Sequence, residues 1–169
     1  GHKCELFKSP ATHCYDFEGE LAAVIGIEGK ANSENQALEL IAGYTCFMDG
    51  SARDFQEDSI GAGKNFDCSG AIGPWVASKR EIENPQTLTI ETRLNGKIMQ
   101  QASTSEMIAS VVDIVIYLSK FTTLKPGDVI ATGTPAGVGM SRNPPIWLVS
   151  GDMIEVSISS VGCLTNLIV

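Results

Sequence analysis

Acidic residues alternate in Tyr15-Asp16-Phe17-Glu18-Gly19-Glu20, and a largely apolar run from Leu21 to Ile27 follows at once. In an extended chain, residues two apart share a face. Glu18 and Glu20 therefore project side by side, about 6.6 Å apart at Cα, and Asp16 has the same parity. Carboxylates crowded at the mouth of a buried strand repel one another, and burial disfavours their charged form. A hard cation among them relieves both penalties, since oxygen donors suit Mg²⁺, Mn²⁺ or Ca²⁺ better than zinc. A further acid in apolar surroundings is Asp49, in Thr45-Cys46-Phe47-Met48-Asp49-Gly50. The competing expectation is a strand end whose acids are simply solvated, the fate of most glutamates.

Other residues could supply chemistry around such a centre. His2 and Glu5 have the i, i+3 spacing that puts both on one helix face. A carboxylate beside an imidazole orients it for general-base work, whereas a chain terminus more often leaves both side chains in water. Lys8, Arg53 and Lys64 are candidates to pair with an anionic substrate, or are surface charges. The stretch Gly133 to Gly139 has neither dinucleotide-fingerprint nor P-loop spacing. Its backbone N–H groups and the Thr134 hydroxyl could face a carboxylate, or its glycines could serve a tight turn at φ > 0. The five cysteines (Cys4, Cys14, Cys46, Cys68 and Cys163) are scattered and odd in number. They fit neither a disulfide framework nor a zinc knuckle, and free thiols are expected.

The elements that must position these groups are legible in part. Leu21 to Ile27 reads as a short buried strand. Ser33 and Gln36 fit a capping box for a helix ending at Gly43. Residues 49–74 show no helical or strand period and read as a long loop that lines a site. Leu88 to Leu94 alternates as a half-buried strand, and Asn95-Gly96 predicts a type I′ hairpin returning through Lys97 to Gln101. Ser103 and Glu106 form a second capping box, for a helix over about 105–121. Short strands are expected at 129–132, 153–160 and 164–169. This order, without regular βαβ alternation, indicates an α+β domain built on a mixed sheet or roll.

With 169 residues the chain is expected to be one domain, residues 1–12 forming a lid or N-terminal segment. The net charge of −8 argues against nucleic acid and anionic membranes as partners. No apolar run approaches about 18 residues and no basic-then-apolar leader opens the sequence, so a soluble cytoplasmic protein is expected.

Taken together, residues 16–26, 43–56, 63–67, 124–139 and 147–158 resemble the fumarylacetoacetate hydrolase superfamily, with the motifs in the family's order and a nearly continuous match over 14–169. The resemblance implies a mixed β-sandwich roll, a homodimer, and Mg²⁺ or Mn²⁺ held by Glu18, Glu20 and Asp49, with Asp16 left out. It implies substrate contacts from Arg53, Gln56, Lys64 and Thr134. His2-Lys3-Cys4-Glu5 is similar to a catalytic lid motif, His-x-x-Glu, and Lys8 to a lysine just beyond the lid. The N-terminal part departs from the pattern: the spans between the lid pair, Leu6-Phe7-Lys8 and Asp16 are much shorter than in the family. The activity implied is hydrolytic C–C cleavage of an acylpyruvate or related β-diketo acid. Decarboxylation of oxaloacetate and hydroxymuconate-type isomerisation would use the same metal-enolate site. A non-catalytic domain that binds small 2-oxo acids is the alternative of another class.

Overall fold

A computed structural model describes residues 1–169. Its first sheet has five strands in the order β1-β11-β10-β7-β8. At one edge of it a hairpin joins β7 (Thr89–Leu94) to β8 (Lys97–Ser103) through Asn95 and Gly96, both at positive φ as a type I′ turn requires. β10 (Met153–Ile158) pairs antiparallel with β7 and with β11 (Gly162–Ile168), and β1 (Glu5–Leu6) adds to β11 in parallel. The second sheet runs β6-β4-β3-β9, comprising β6 (Ala71–Ser78), β4 (Ile41–Met48), β3 (Gly19–Ile25) and β9 (Val129–Ala131). A two-stranded ribbon pairs β2 (Tyr15–Asp16) with β5 (Ser51–Ala52).

The sheets face each other. β11 packs against β6 and β4, and β10 against β4 and β3. Leu21, Tyr44, Cys46, Ile154, Val156 and Leu164 belong to the one hydrophobic core between them. Helices α1 (Glu34–Leu40) and α4 (Val111–Ser119) pack together at the flank, while α2 (Arg53–Gln56) and α3 (Ile60–Lys64) pair beside the ribbon. This mixed β-sandwich with few helices is the α+β roll expected.

Several local expectations are corrected. The Ser103–Glu106 capping box closes only a 3-10 turn, and the helix starts later, at a second box formed by Ser110 and Asp113. Ser33 makes no side-chain cap; Gln36 instead accepts from Asn32 N at 2.9 Å, and the chain passes from Leu40 straight into β4. The long loop at 49–74 contains β5, α2, α3 and the start of β6. The N-terminus is not helical: Lys3 has φ 61°, and Glu5 and Leu6 pair with Leu167 and Ile168.

Candidate metal and active site

Strand register brings the acids together. β3 and β4 pair Gly19 with Met48, and β2 and β5 pair Asp16 with Ser51 in the same register. Between the two ladders Asp49 N donates to Glu18 O at 2.9 Å, so Glu18 and Asp49 stand opposite each other. Glu20 shares the parity of Glu18. Each of Glu18, Glu20 and Asp49 offers a carboxylate oxygen, and these lie within 4.8 Å of one another.

The cluster is short of positive charge. Lys64 Nζ donates to Glu18 Oε2 at 2.8 Å and to Asp49 Oδ2 at 2.6 Å, and Arg53 Nη2 lies 2.7 Å from Glu18 Oε1. Glu20 is only 3% exposed, and its one hydrogen bond is accepted from Gly133 N at 2.8 Å. Burial pushes its carboxyl up to about 7, with Asp49 and Glu18 adding to the effect and the Gly133 N–H opposing it. Burial also raises the Asp49 carboxyl, against the pull of Lys64. Three converging hard oxygen donors, one buried and carrying no cation of its own, fit a divalent ion of the Mg²⁺ or Mn²⁺ kind.

The cations are placed by the segment that read as loop. Arg53 N donates to Cys14 O at 3.0 Å, which ties the start of α2 to the ribbon. Ser59 caps α3 by accepting from Ala62 N, and α3 ends on Lys64. Gln56 accepts from Arg53 Nη1 at 3.0 Å, so these two predicted substrate contacts meet each other.

Asp16 has a different task. It is fully buried, and both of its oxygens are used within the chain. Oδ1 accepts from Phe17 N (2.8 Å) and Gly139 N (2.7 Å), and Oδ2 from Met140 N (3.0 Å) and Arg53 Nε (2.9 Å). The segment 133–140 is thus pinned at both ends, by Glu20 and by Asp16. Both sequence readings of this segment contain something real. Gly133 and Gly137 adopt φ of 96° and 108°, and the anions that its outer N–H groups hold are the chain's own carboxylates. A Cβ on Gly139 would press on Ile146 O and on Asp16 Oδ1, so a side chain there would break the pin.

Thr134 Oγ1 donates to Gly19 O at 2.9 Å and accepts from Gln100 Nε2 at 2.8 Å. A cleft of about 470 Å³ opens beside this loop, lined by Leu21, Thr132, Ala136 and Met107 among others. Gly133, whose N–H holds Glu20, and Thr134 line the same cleft, which links it to the carboxylates.

The N-terminal candidates lie elsewhere. His2 Nδ1 accepts from Thr165 N at 3.1 Å, and the Glu5 side chain is exposed on β1. The helix that would have aligned the two is absent, and no hydrogen bond or ion pair joins either to Glu18, Glu20 or Asp49. Lys8 Nζ donates to Thr12 O at 3.0 Å rather than to the carboxylates. Gln100 went unnoticed in the sequence because it occupies an ordinary strand position.

Comparison with known proteins agrees with this geometry. The family model described as fumarylacetoacetate (FAA) hydrolase C-terminal matches residues 5–169. The oxaloacetate tautomerase YisK of Bacillus subtilis is 44% identical over 153 residues, covering 89% of this chain and 51% of that protein. A mitochondrial oxaloacetate tautomerase of Homo sapiens is 38% identical over 169 residues, covering 98% of this chain and 54% of that protein. The chain thus spans about half the length of these curated relatives. Among solved structures, a fumarylacetoacetate hydrolase from Exiguobacterium antarcticum superposes with TM-score 0.95 at 39% identity, covering 99% of this chain and 61% of that one. A fumarylpyruvate hydrolase from Pseudomonas aeruginosa, in complex with Mn²⁺ and pyruvate, superposes with TM-score 0.89 at 32% identity, covering 99% and 71%. With its two-sheet roll and its carboxylate trio, the chain belongs to the fumarylacetoacetate hydrolase family.

Proposed function

We propose that the chain is the catalytic domain of a Mg²⁺- or Mn²⁺-dependent enzyme that interconverts the enol and keto forms of a small 2-oxo acid of the oxaloacetate type. The observation that carries this reading is the trio of Glu18, Glu20 and Asp49 with Lys64 Nζ between two of its members. A proton-bearing group then stands among the carboxylates, beside any enolate that an ion held there would bind. The names of the Bacillus and human relatives support the same reaction.

The three carboxylates would hold the ion. When bound, it polarises the 2-oxo group and stabilises enolate charge. Lys64 competes for the same oxygens and, once displaced, would give C3 the proton that ketonisation adds, while water takes the proton that leaves the enol O–H. Arg53, aimed by Asp16 and fastened to Gln56, offers its guanidinium to the distal carboxylate. Free N–H groups of the 133–140 segment would hold the carboxylate beside the oxo group. Proton movement between carbon and oxygen needs no attacking water. Hydrolysis does, and no His2–Glu5 pair stands by the carboxylates to activate one.

Hydrolytic cleavage of an acylpyruvate is the second reading, supported by the fumarylpyruvate hydrolase neighbour with its Mn²⁺ and pyruvate. In that reading His2, Glu5 and Lys8 would have to reach the site by a rearrangement of residues 1–12. Homodimeric assembly and a cytoplasmic location belong to the same proposal. Sedimentation and cell fractionation test them, and no helix is long and apolar enough to cross a membrane.

The test follows ultraviolet absorbance of enol-oxaloacetate and of an acylpyruvate panel, with Mg²⁺, Mn²⁺ or chelator. Metal-dependent ketonisation faster than buffer, lost in Glu18→Ala while the fold persists, is expected. Loss of acylpyruvate absorbance alone would select hydrolysis. Binding of pyruvate with no turnover of any compound would leave a non-catalytic 2-oxo-acid-binding domain.

A further inference from the structure

Gln100 projects from β8 of the first sheet and is 1% exposed, yet its side chain reaches two segments beside the carboxylates. Its Oε1 accepts from Gly19 N at 3.0 Å, and its Nε2 donates to Pro135 O at 2.8 Å and to Thr134 Oγ1 at 2.8 Å. The polarity of these bonds is determined by chemistry alone. Gly19 N can only donate and Pro135 O can only accept, so the amide has one possible orientation. The Thr134 hydroxyl must therefore accept from Nε2, and it sends its single proton to Gly19 O at 2.9 Å. A hydroxyl has one proton and two lone pairs. One lone pair and no proton remain for a ligand.

We propose that Gln100 is a positioning residue that makes Thr134 a hydrogen-bond acceptor at the site, so that Thr134 recognises the O–H of an enol rather than a carboxylate. This deepens the tautomerase reading and rests on it. It reverses the sequence expectation, in which the Thr134 hydroxyl would donate to a substrate carboxylate. Two protein elements are involved, one from each sheet. Gly19 lies between the ligands Glu18 and Glu20, so the same amide also fixes the distance between Thr134 and the metal carboxylates.

The experiment compares wild type, Gln100→Met, Thr134→Val and the double variant with three probes. Mn²⁺ alone, followed by titration, should bind all four within about twofold, because no carboxylate is altered. Pyruvate has no enol O–H in its dominant form and should bind the Mn²⁺-loaded proteins within about twofold of wild type. For enol-oxaloacetate, kcat/KM should fall about tenfold in each single variant, the size of one net hydrogen bond. The double variant should fall no further, since both changes remove one interaction. Pyruvate affinity falling in step with kcat/KM would make Thr134 a donor to carboxylate and overturn the proposal. Additive losses in the double variant would also overturn it. Absence of oxaloacetate turnover in wild type would instead sink the functional reading. The bond polarity is then still read from the side-chain amide resonances of Gln100. These should shift in Thr134→Val, and an unmoved signal would refute the assignment. The same spectrum decides the matter if Gln100→Met does not fold.

Discussion

Asp16 and Glu18 alternate in one strand-like segment, yet their replacement should have opposite consequences. In Asp16→Asn one carboxylate oxygen becomes an NH₂ group. Whichever way the amide turns, that group meets two donors, either Phe17 N and Gly139 N or Met140 N and Arg53 Nε. Two charge-assisted hydrogen bonds inside a fully buried site are lost and two donors are left facing a third. At about 1.5–3 kcal/mol for each bond to a charged group, the loss is about 3–6 kcal/mol, which spans the range of about 3–5 kcal/mol found when one partner of a buried pair is removed. For a chain of this size each kcal/mol moves Tm by about 2–4 °C, so the melting temperature should drop by about 10 °C. Mn²⁺ stoichiometry should remain one per chain, because Asp16 has no oxygen to give. Scanning calorimetry and Mn²⁺ titration read the two quantities separately. Stability within about 3 °C of wild type, or a folded variant that no longer binds Mn²⁺, would refute the distinction. Glu18→Ala should show the reverse pattern, with binding lost and the fold kept.

Three further outcomes follow from the same geometry. Burial raises the Glu20 carboxyl to about 7, so the folded metal-free chain holds that proton more tightly than the unfolded chain does. Stability is then full below the unfolded pKa and declines as pH rises through 7, by about 3 kcal/mol. Chelated protein should melt lower at pH 8 than at pH 5, Glu20→Gln should flatten the dependence, and a melt that rises with pH over this window would contradict the assignment. Lys64→Met removes the cation that bridges Glu18 and Asp49, so Mn²⁺ should bind about tenfold more tightly while turnover is lost. Calorimetry showing weaker binding would mean that Lys64 organises the ligands rather than competing for them. Gly19→Ala would place a Cβ against Thr92 Oγ1 and 3.3 Å from Val156 Cγ1. Overpacking there should cost about 1–3 kcal/mol, partly recovered in Gly19→Ala/Thr92→Ala, and no recovery in a denaturant melt would locate the strain elsewhere.

Local chemistry carried much of the architecture. Asn95-Gly96 demands a particular turn, and the alternation in β7 and β10 follows from one buried face, so both were readable without any knowledge of partners. β4 was not, because a central strand covered on both sides reads as an unbroken apolar run that merges with the end of α1. β6 was hidden by Gly73-Pro74, which a strand tolerates here because β6 lies at the sheet edge. The spacing of His2 and Glu5 suits a helix, but the pairing of Glu5 with Leu167 is decided by residues at the far end of the chain. The same distinction runs through the site. Parity placed Asp16, Glu18 and Glu20 on one face, and the family resemblance singled out the trio. What physically separates Asp16 from the others is a pair of backbone N–H groups more than 120 residues away, which arrive only when the 133–140 segment folds over it. Glu18, Glu20 and Asp49 retain oxygens that no such segment saturates. A carboxylate in this fold is therefore free to bind metal to the extent that the backbone has left it unclaimed, and that property belongs to the tertiary structure rather than to the Glu-x-Glu pattern.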